Sequence, residues 1–545
     1  MITPSDSDLL CHDLPTRPQP HIGKILVTGA TGYVGGRLVP ELLARGYQVR
    51  VMVRAASEEH GQRWPGAEIV VADALESGPE GDEAGESRDE GTSPTTPVPP
   101  APPRPTRLET ALRGIHTAYY LLHSLLLGRE ELESTEIQAA ANFRRAAERQ
   151  AVARIIYLGG LGEARAAPTR LAGPGLGSRV RQRVGAALSP HLRSRMQVGD
   201  ELRRGTVPTT IFRAAIIIGS GSASYEIIEH LVKSLPILPV PHWAKTRCQP
   251  IGIRDVIKYL VGALETAETT GRSFDIGGPD VLTYREMLKI LADLLGKRRL
   301  FIPFPFSHIG FFAYCTSLFT PVPAPITRCL MEGITNEVVC QNDDIKRILP
   351  FEPLGYREAL VRAMSREEQD QVHTRWSDAY PPAHELAIKL HELKEPVRYM
   401  SSYSLLTEKS AACLFRSICK IGGKEGWFHG NWLWRLRGAV DRLLLGVGSV
   451  RGRRSSSSLR IADVIDFWRV EDLKPDTMLL LRAEMKLPGK AWLQFRIDPE
   501  GNKNRLSVSA YYQPRGLFGK PYWYVFLPFH FLIFRNLIRQ IEKRS

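Results

Sequence analysis

Short apolar runs alternate with amphipathic stretches through the first two thirds of the chain. "KILVTGATGYVGGRL" (24–38) is an apolar run, then glycines at three-residue spacing, then the start of a helical pattern that continues as "RLVPELLARG". The apolar runs "YQVRVMVR", "AEIVVADAL", "HTAYYLLHS", "RIIYLGGL" and "TTIFRAAIIIGSG" follow, with the helical "ELESTEIQAAANFRRAAERQ" between two of them. Continuous apolar strands separated by helices predict an α/β, Rossmann-like, doubly wound parallel sheet with helices on both faces. The pattern breaks at 76–106, which is acidic and then proline-rich. So little apolar surface cannot offset the entropy of ordering, and a disordered insertion is expected there.

Residues 1–21, polar and proline-bearing, read as a disordered lead-in, and 22–365 as one dinucleotide-binding domain. Within it, 220–365 carries "LPILPVPHW", "FIPFPFSHIGFF" and "FTPVPAP", the grammar of a smaller substrate lobe over the carboxyl edge of the sheet. The polar "SREEQDQVHTRW" suggests a helical linker, 366–377. From 378 to 545 the period changes to that of an antiparallel sheet. "VIDFWRV", "MLLLRAEM", "AWLQFRI" and "RLSVSAYYQ" are separated by turn residues, and "HFLIFRNLIRQIEK" closes the chain as a helix. This predicts a second, α+β domain.

Length fits this division, because 545 residues exceed what one core holds. The net charge of +14 admits nucleic acid or an anionic membrane as partner, yet no zinc-ligand spacing or nucleic-acid module accompanies it, so no nucleic-acid role is expected. Seven cysteines with no C-x-x-C pair suggest neither a disulfide framework nor a metal site, and point to a reducing, cytoplasmic setting. The N-terminus lacks the pattern of a signal peptide. The longest apolar run, "YWYVFLPFHFLIF", is too short for a membrane span and contains Pro528 and His530.

Gly29, Gly32 and Gly35 follow a strand and open a helix. In that setting the backbone can turn tightly, approach a pyrophosphate and aim a helix N-terminus at it. Ala30, Thr31, Tyr33 and Val34 complete the loop. The second strand ends on Arg54, with Arg50 before it, where an acidic residue would select NAD. A guanidinium suits the 2′-phosphate of NADP, with NAD as the alternative. Asp73 and Ala74 fall where adenine would lie, and Leu121 and His123, with Ser124, fall on the nicotinamide side. A solvated edge arginine and a turn-capping aspartate are the plainer readings of Arg54 and Asp73.

"VTGATGYVGGRL", "TAYYLLHS", "IFRAAIIIGSGSASYEII" and "FDIGGPDVLTYREML" together resemble an atypical short-chain dehydrogenase/reductase of the extended, NmrA-like kind. "GWFHGNWLWRLRGAVDRLLLGVGSVRGRR", "AEMKLPGKAWLQF" and "PRGLFGKPYWY" resemble the domain of unknown function fused to such reductases in bacteria, itself similar to START and polyketide-cyclase helix-grip proteins. The resemblance implies a serine after the fifth strand and a tyrosine and lysine four apart on the next helix. The chain departs at all three, with Gly159 and Gly160 in the serine region and His191 and Arg195 at the helix positions. His191 then acts as a surrogate acid or base of near-neutral pKa beside Arg195, or the pair is a solvated helix face.

Trp427, Trp432, Trp434, Trp468, Trp492 and Trp523, with Phe467, Phe495 and Tyr511, would line an apolar cavity in the second domain if it holds a ligand, and form its core otherwise. Arg451, Arg453, Arg454 and Arg460 with "GLFGKPYWYVFLPF" raise a peripheral membrane contact. The expected function is an NAD(P)-dependent oxidoreductase acting on a hydrophobic carbonyl or enone, with a small hydrophobic molecule or lipid as partner. The alternative is a non-catalytic NADP(H)-sensing or scaffold protein.

Overall fold

Strands buried on both faces must be apolar at every position, and the first sheet is built that way. The computed structural model describes residues 10–55, 58–76, 105–123, 129–162, 188–306, 308–365, 374–379, 390, 397 and 399–545, except 424, 429, 449, 450, 452 and 454–457. The expectations for the acidic insertion (77–104), Ser124, Arg454 and most of the linker (366–373) lie outside the described residues.

The seven strands are β1 (Lys24–Val27), β2 (Val49–Val53), β3 (Glu68–Val71), β4 (Ile115–Tyr120), β5 (Arg154–Gly160), β6 (Thr209–Ala214) and β7 (Ser273–Ile276). They pair in parallel in the order β7-β6-β5-β4-β1-β2-β3. The order reverses between β1 and β4, the switch point where such sheets open a ligand crevice. The helices that position the site are α1 (Gly35–Ala44), α2 (Arg129–Arg149), α3 (Pro190–Arg203), α4 (Ala223–Ser234) and α5 (Ile253–Leu264).

The pleat sends Ile25, Val27 and Val51 to one face against α1 and α5. Leu26, Met52 and Tyr120 go to the other, against Phe143 of α2 and Val198 of α3. Arg154 crosses from β5 to the end of α5. It donates 2.6 Å to the Ala263 carbonyl and 2.6 Å to Thr269 Oγ1, so its charge faces the negative end of that helix. The 220–365 region adds α6 (Ile309–Phe319) and α7 (Ala324–Gly333), packed around Trp243, Met287 and Phe312.

Residues 10–22 are not the loose lead-in expected from their composition. Cys11 and Leu14 are buried, and the Leu10 and Cys11 amides donate to the Glu41 carboxylate. Arg45 donates to the carbonyls of Cys11 and Thr16 and pairs with buried Glu265 at 2.7 Å, which also accepts from Tyr47 at 3.0 Å. A polar composition misled here because the segment is fastened by charged hydrogen bonds rather than by apolar area.

The second domain is a six-stranded antiparallel sheet. Its strands are β8 (Tyr399–Thr407), β9 (Val464–Ile465), β10 (Trp468–Lys474), β11 (Met478–Ala483), β12 (Gly489–Glu500) and β13 (Lys503–Pro514), ordered β8-β13-β12-β11-β10-β9. Around it lie α8 (Ala411–Ile418), α9 (Asn431–Leu443) and α10 (Gly516–Lys543). The serine-rich edge strand β8 was not foreseen. The closing helix also begins fourteen residues before the expected start, continuing through Pro521 and Pro528. Of the two readings for the aromatics, cavity or core, most take the second: Trp427, Phe467, Trp468 and Phe495 pack with Phe534 and Ile538. Trp427 stacks on Trp434 at 4.3 Å, and buried Trp492 donates to Glu471 at 3.0 Å. Trp432 alone among the named tryptophans is strongly exposed.

Removing one partner of a buried pair strands the other charge. Glu265→Ala is therefore expected to destabilise the first domain by about 3 kcal/mol and to open residues 10–16 to protease. Thermal unfolding and limited proteolysis of the full chain check this.

Candidate active site at the sheet switch point

A cavity of about 510 Å³ lies along the carboxyl ends of β1 to β6, within the ~300–1,000 Å³ usual for small-molecule sites. Gly29, Thr31, Gly32, Tyr33, Val34 and Gly35 line one side. Ala30, also expected in the loop, is fully buried behind it. The glycines are sterically required. Gly29 has φ +64°, and a Cβ there would stand 2.5 Å from the Leu121 carbonyl oxygen; one on Gly35 would stand 2.4 Å from the Gly29 carbonyl oxygen. Only glycine lets β1 turn so close to β4.

Arg54, exposed at the end of β2, lines the cavity, as do Asp73 and Ala74 after β3 and Leu121 and His123 after β4. Arg50 does not join them. Its guanidinium donates to the carbonyls of Ala111 and Arg113 and pairs with Glu68 at 2.8 Å, so it serves the far edge of the sheet. Asp73 accepts from the Leu75 amide at 3.0 Å, the turn-capping role, while still facing the cavity.

His191 and Arg195 of α3 reach the cavity beside His123. The imidazoles of His123 and His191 lie 5.0 Å apart, centroid to centroid. Between α2 and α3 sits Glu136, a buried carboxylate that sequence reasoning missed. It meets His123 Nδ1 at 2.9 Å and accepts from the Ser194 hydroxyl. Although burial disfavours its charge, the facing His123 and Arg195 and its hydrogen bonds hold Glu136 well below the usual carboxylate range. An ionised carboxylate only accepts, so His123 carries its proton on Nδ1 and turns a lone pair on Nε2 outward.

Burial lowers the His123 pKa, and lowers that of His191 from 6.5 to about 3, with His123 and Arg195 adding to the effect. The near-neutral imidazole expected at His191 is therefore corrected: the pocket holds it uncharged. Its Nδ1 is buried with no hydrogen-bond partner. Arg195 is largely spoken for. It donates to the carbonyls of Leu158 and Leu122, and its guanidinium lies 4.9 Å over the Tyr157 ring. The helix positions that would carry tyrosine and lysine thus hold a neutral acceptor or donor and a cation locked to backbone.

The far wall is apolar: Ile227 of α4, Ile326 and Met331 of α7, and Trp376. Trp376 comes from the segment expected to be a linker. There Thr374 donates 2.8 Å to the Tyr33 carbonyl in the glycine loop, and Trp376 donates 2.6 Å to buried Glu226. The next carbonyl, of Ser377, accepts at 2.8 Å from Arg469 of β10. What reads as a tether is a strap across the site, tied to the second domain. No spacing signal marks it, because its partners are 92 to 341 residues away.

Residues 22–169 match the NmrA-like family, and residues 394–537 match the family described as a protein of unknown function (DUF2867). Over 116 residues, 21% of this chain, the sequence is 28% identical to mitochondrial NADH dehydrogenase [ubiquinone] 1 alpha subcomplex subunit 9 of Arabidopsis thaliana. The match spans 29% of that relative's length. Among solved structures, the triphenylmethane reductase of Citrobacter sp., complexed with NADP(H), is 18% identical with a TM-score of 0.45. It covers 62% of this chain and 100% of its own. A nucleoside-diphosphate-sugar epimerase of Staphylococcus aureus is 14% identical with a TM-score of 0.44, covering 62% and 99%. The first domain's own strands form a Rossmann-like parallel sheet, and its NmrA-like match covers residues 22–169.

A histidine excluded from protonation in the fold takes up a proton once unfolded. Between about pH 6.5 and 3 the unfolded chain binds that extra proton, so stability falls as the pH falls through this window. His191→Gln is expected to flatten the loss of melting temperature between about pH 7 and 5, which a pH series of thermal melts reads directly.

Proposed function

We propose that the first domain binds NADP(H) and is an oxidoreductase of the extended short-chain dehydrogenase/reductase kind, acting on a hydrophobic carbonyl or enone. The observation that carries this reading is the cavity at the switch point, with a glycine cradle at one end and an apolar wall at the other. The residues fit a dinucleotide. The glycine loop brings backbone amides and the α1 N-terminus to one place, and Arg54 stands free at the end of β2 for a 2′-phosphate. Among the described residues, no acidic side chain stands at that strand end for the NAD ribose.

The dinucleotide, when bound, supplies or accepts the hydride. The chain's own part is proton management. Glu136 fixes the His123 tautomer, leaving Nε2 as the acceptor on the cavity side, and neutral His191 offers a second polar atom beside it. The lowered pKa values keep both imidazoles neutral and weakly basic, so His123 Nε2 accepts a hydrogen bond, and neutral His191 accepts or donates one, rather than delivering a proton as an imidazolium. Arg195 acts by holding the ends of β4 and β5 in position. A non-catalytic, NADP(H)-sensing role is favoured by the missing serine, tyrosine and lysine, and turnover decides between the two.

A hydrogen-bonded ion pair to phosphate is worth roughly 1.5–3 kcal/mol. Arg54→Ala should therefore weaken NADPH binding by about tenfold to a hundredfold and leave NADH binding within about twofold, measured by fluorescence titration of the full chain. Equal effects on both nucleotides would remove the argument for NADP. Gly29→Val should abolish binding of either. With a turnover assay, His123→Ala should lower kcat while sparing NADPH affinity. A wild-type protein that binds NADPH and turns over no carbonyl or enone favours the sensor.

A further inference from the structure

We propose that the joint outer face of α9 and α10 docks the protein on an anionic lipid surface. α10 has two unlike sides. One, with Trp523, Phe534, Leu537 and Ile538, is packed into the domain. The other presents Leu517 and Phe518, 92% and 79% exposed, and then Tyr524 and Val525 about two turns on, also exposed. Exposed apolar side chains at this density are not covered by any described part of the chain, and a patch of this kind marks an interaction site.

α9 extends the same face. Arg437 of α9 hydrogen-bonds Tyr522 of α10, so the helices meet there. On α9, Trp432 is 66% exposed and Leu443 and Leu444 project outward. Its far end reaches the first domain, where Arg442 donates 2.5 Å to the Leu318 carbonyl of α6. Phe319, next in α6, is exposed as well.

The charges select the occupant. From Gln513 to Ile541 the sequence has Arg515, Lys520, Arg535 and Arg539 and no aspartate or glutamate. The one acid of α9, Asp441, is fully buried and accepts from the amides of Gly448 and Lys486. The face is thus apolar with a purely basic fringe, plus tryptophan and tyrosine, the composition that settles at an anionic headgroup layer. A second copy meeting this face about a twofold axis would set these cations against one another with no acids between them. Among the described residues no helix is long and apolar enough to cross a membrane, so the contact lies on the bilayer rather than through it.

The test is co-sedimentation of the full chain with vesicles of phosphatidylcholine alone and of phosphatidylcholine with phosphatidylserine. Binding to the mixed vesicles, falling as salt rises, is expected. The double variant Leu517→Asp with Phe518→Asp should lose about tenfold or more of that binding, and Arg515→Glu with Lys520→Glu should lose a similar amount. These side chains are exposed, so both variants should melt with the wild type and bind NADPH as it does. Absence of vesicle binding by the wild type overturns the proposal, as does binding that neither variant changes. So does a wild-type oligomer in light scattering that Leu517→Asp with Phe518→Asp converts to monomer, which would assign the face to self-association.

Discussion

Everything at the site depends on how β1 and β4 part at their carboxyl ends. Thr28 ties them at the last possible point. Its amide and hydroxyl both donate to the Tyr119 carbonyl at 3.0 Å, and its hydroxyl accepts from the Leu121 amide at 3.1 Å. One residue later the chain must leave the sheet without moving away from it, which a Cβ on Gly29 would prevent. The crevice is therefore an outcome of one threonine that clamps and one glycine that turns. The loop, α1 and the two strand ends inherit their positions from that pair. Arg195 repeats the device one strand over, holding the carbonyls after β4 and at the end of β5 from the α3 side.

The second dependence is on a segment that neither domain owns. Thr374 sits so close to α1 that a Cβ on Gly36 would stand 2.2 Å from its methyl. Two residues on, Trp376 closes the apolar end of the cavity, and one further, the Ser377 carbonyl enters a buried ionic cluster of the second domain. There Arg451 and Arg469 share Glu484, while Glu471 accepts from Trp492 and, at 2.7 Å, from the Leu390 amide. Charges buried this deeply are costly unless paired, and the Ser377 carbonyl is one of the partners that satisfy Arg469. The strap thus touches both the cavity and this cluster.

The parallel sheet and the glycine loop were legible because they rest on local signals: apolar runs of fixed length and glycines at fixed spacing. Thirteen of the fourteen candidate residues line one cavity for the same reason, and Ala30 misses only by facing inward. What was hidden depends on contacts between distant positions. Glu136 looks like any polar residue on a solvated helix until α3 is laid against α2. Residues 10–22 look loose until Glu41, Arg45 and Glu265 are assembled around them. Trp376 ends a polar stretch, and only the fold brings Glu226 to its indole. In the second domain the aromatics admitted a ligand cavity or a core, and distant contacts decided for the core in most of them, while Trp432 is exposed.

The substitution of histidine and arginine for tyrosine and lysine changes what kind of pocket this can be. A tyrosine–lysine pair works by keeping a permanent cation next to an acid. Here the permanent cation is turned into the backbone, the carboxylate is buried beside His123, and burial keeps both imidazoles neutral. Net charge at the reacting end is thereby low, and the surrounding wall is aliphatic and aromatic. This is the surrounding that the uncharged carbonyl or enone of the proposed function would meet, since an apolar wall offers few partners for a hydrated ligand. The strap adds to that wall by placing an indole, not a polar side chain, at the end where the ligand would sit.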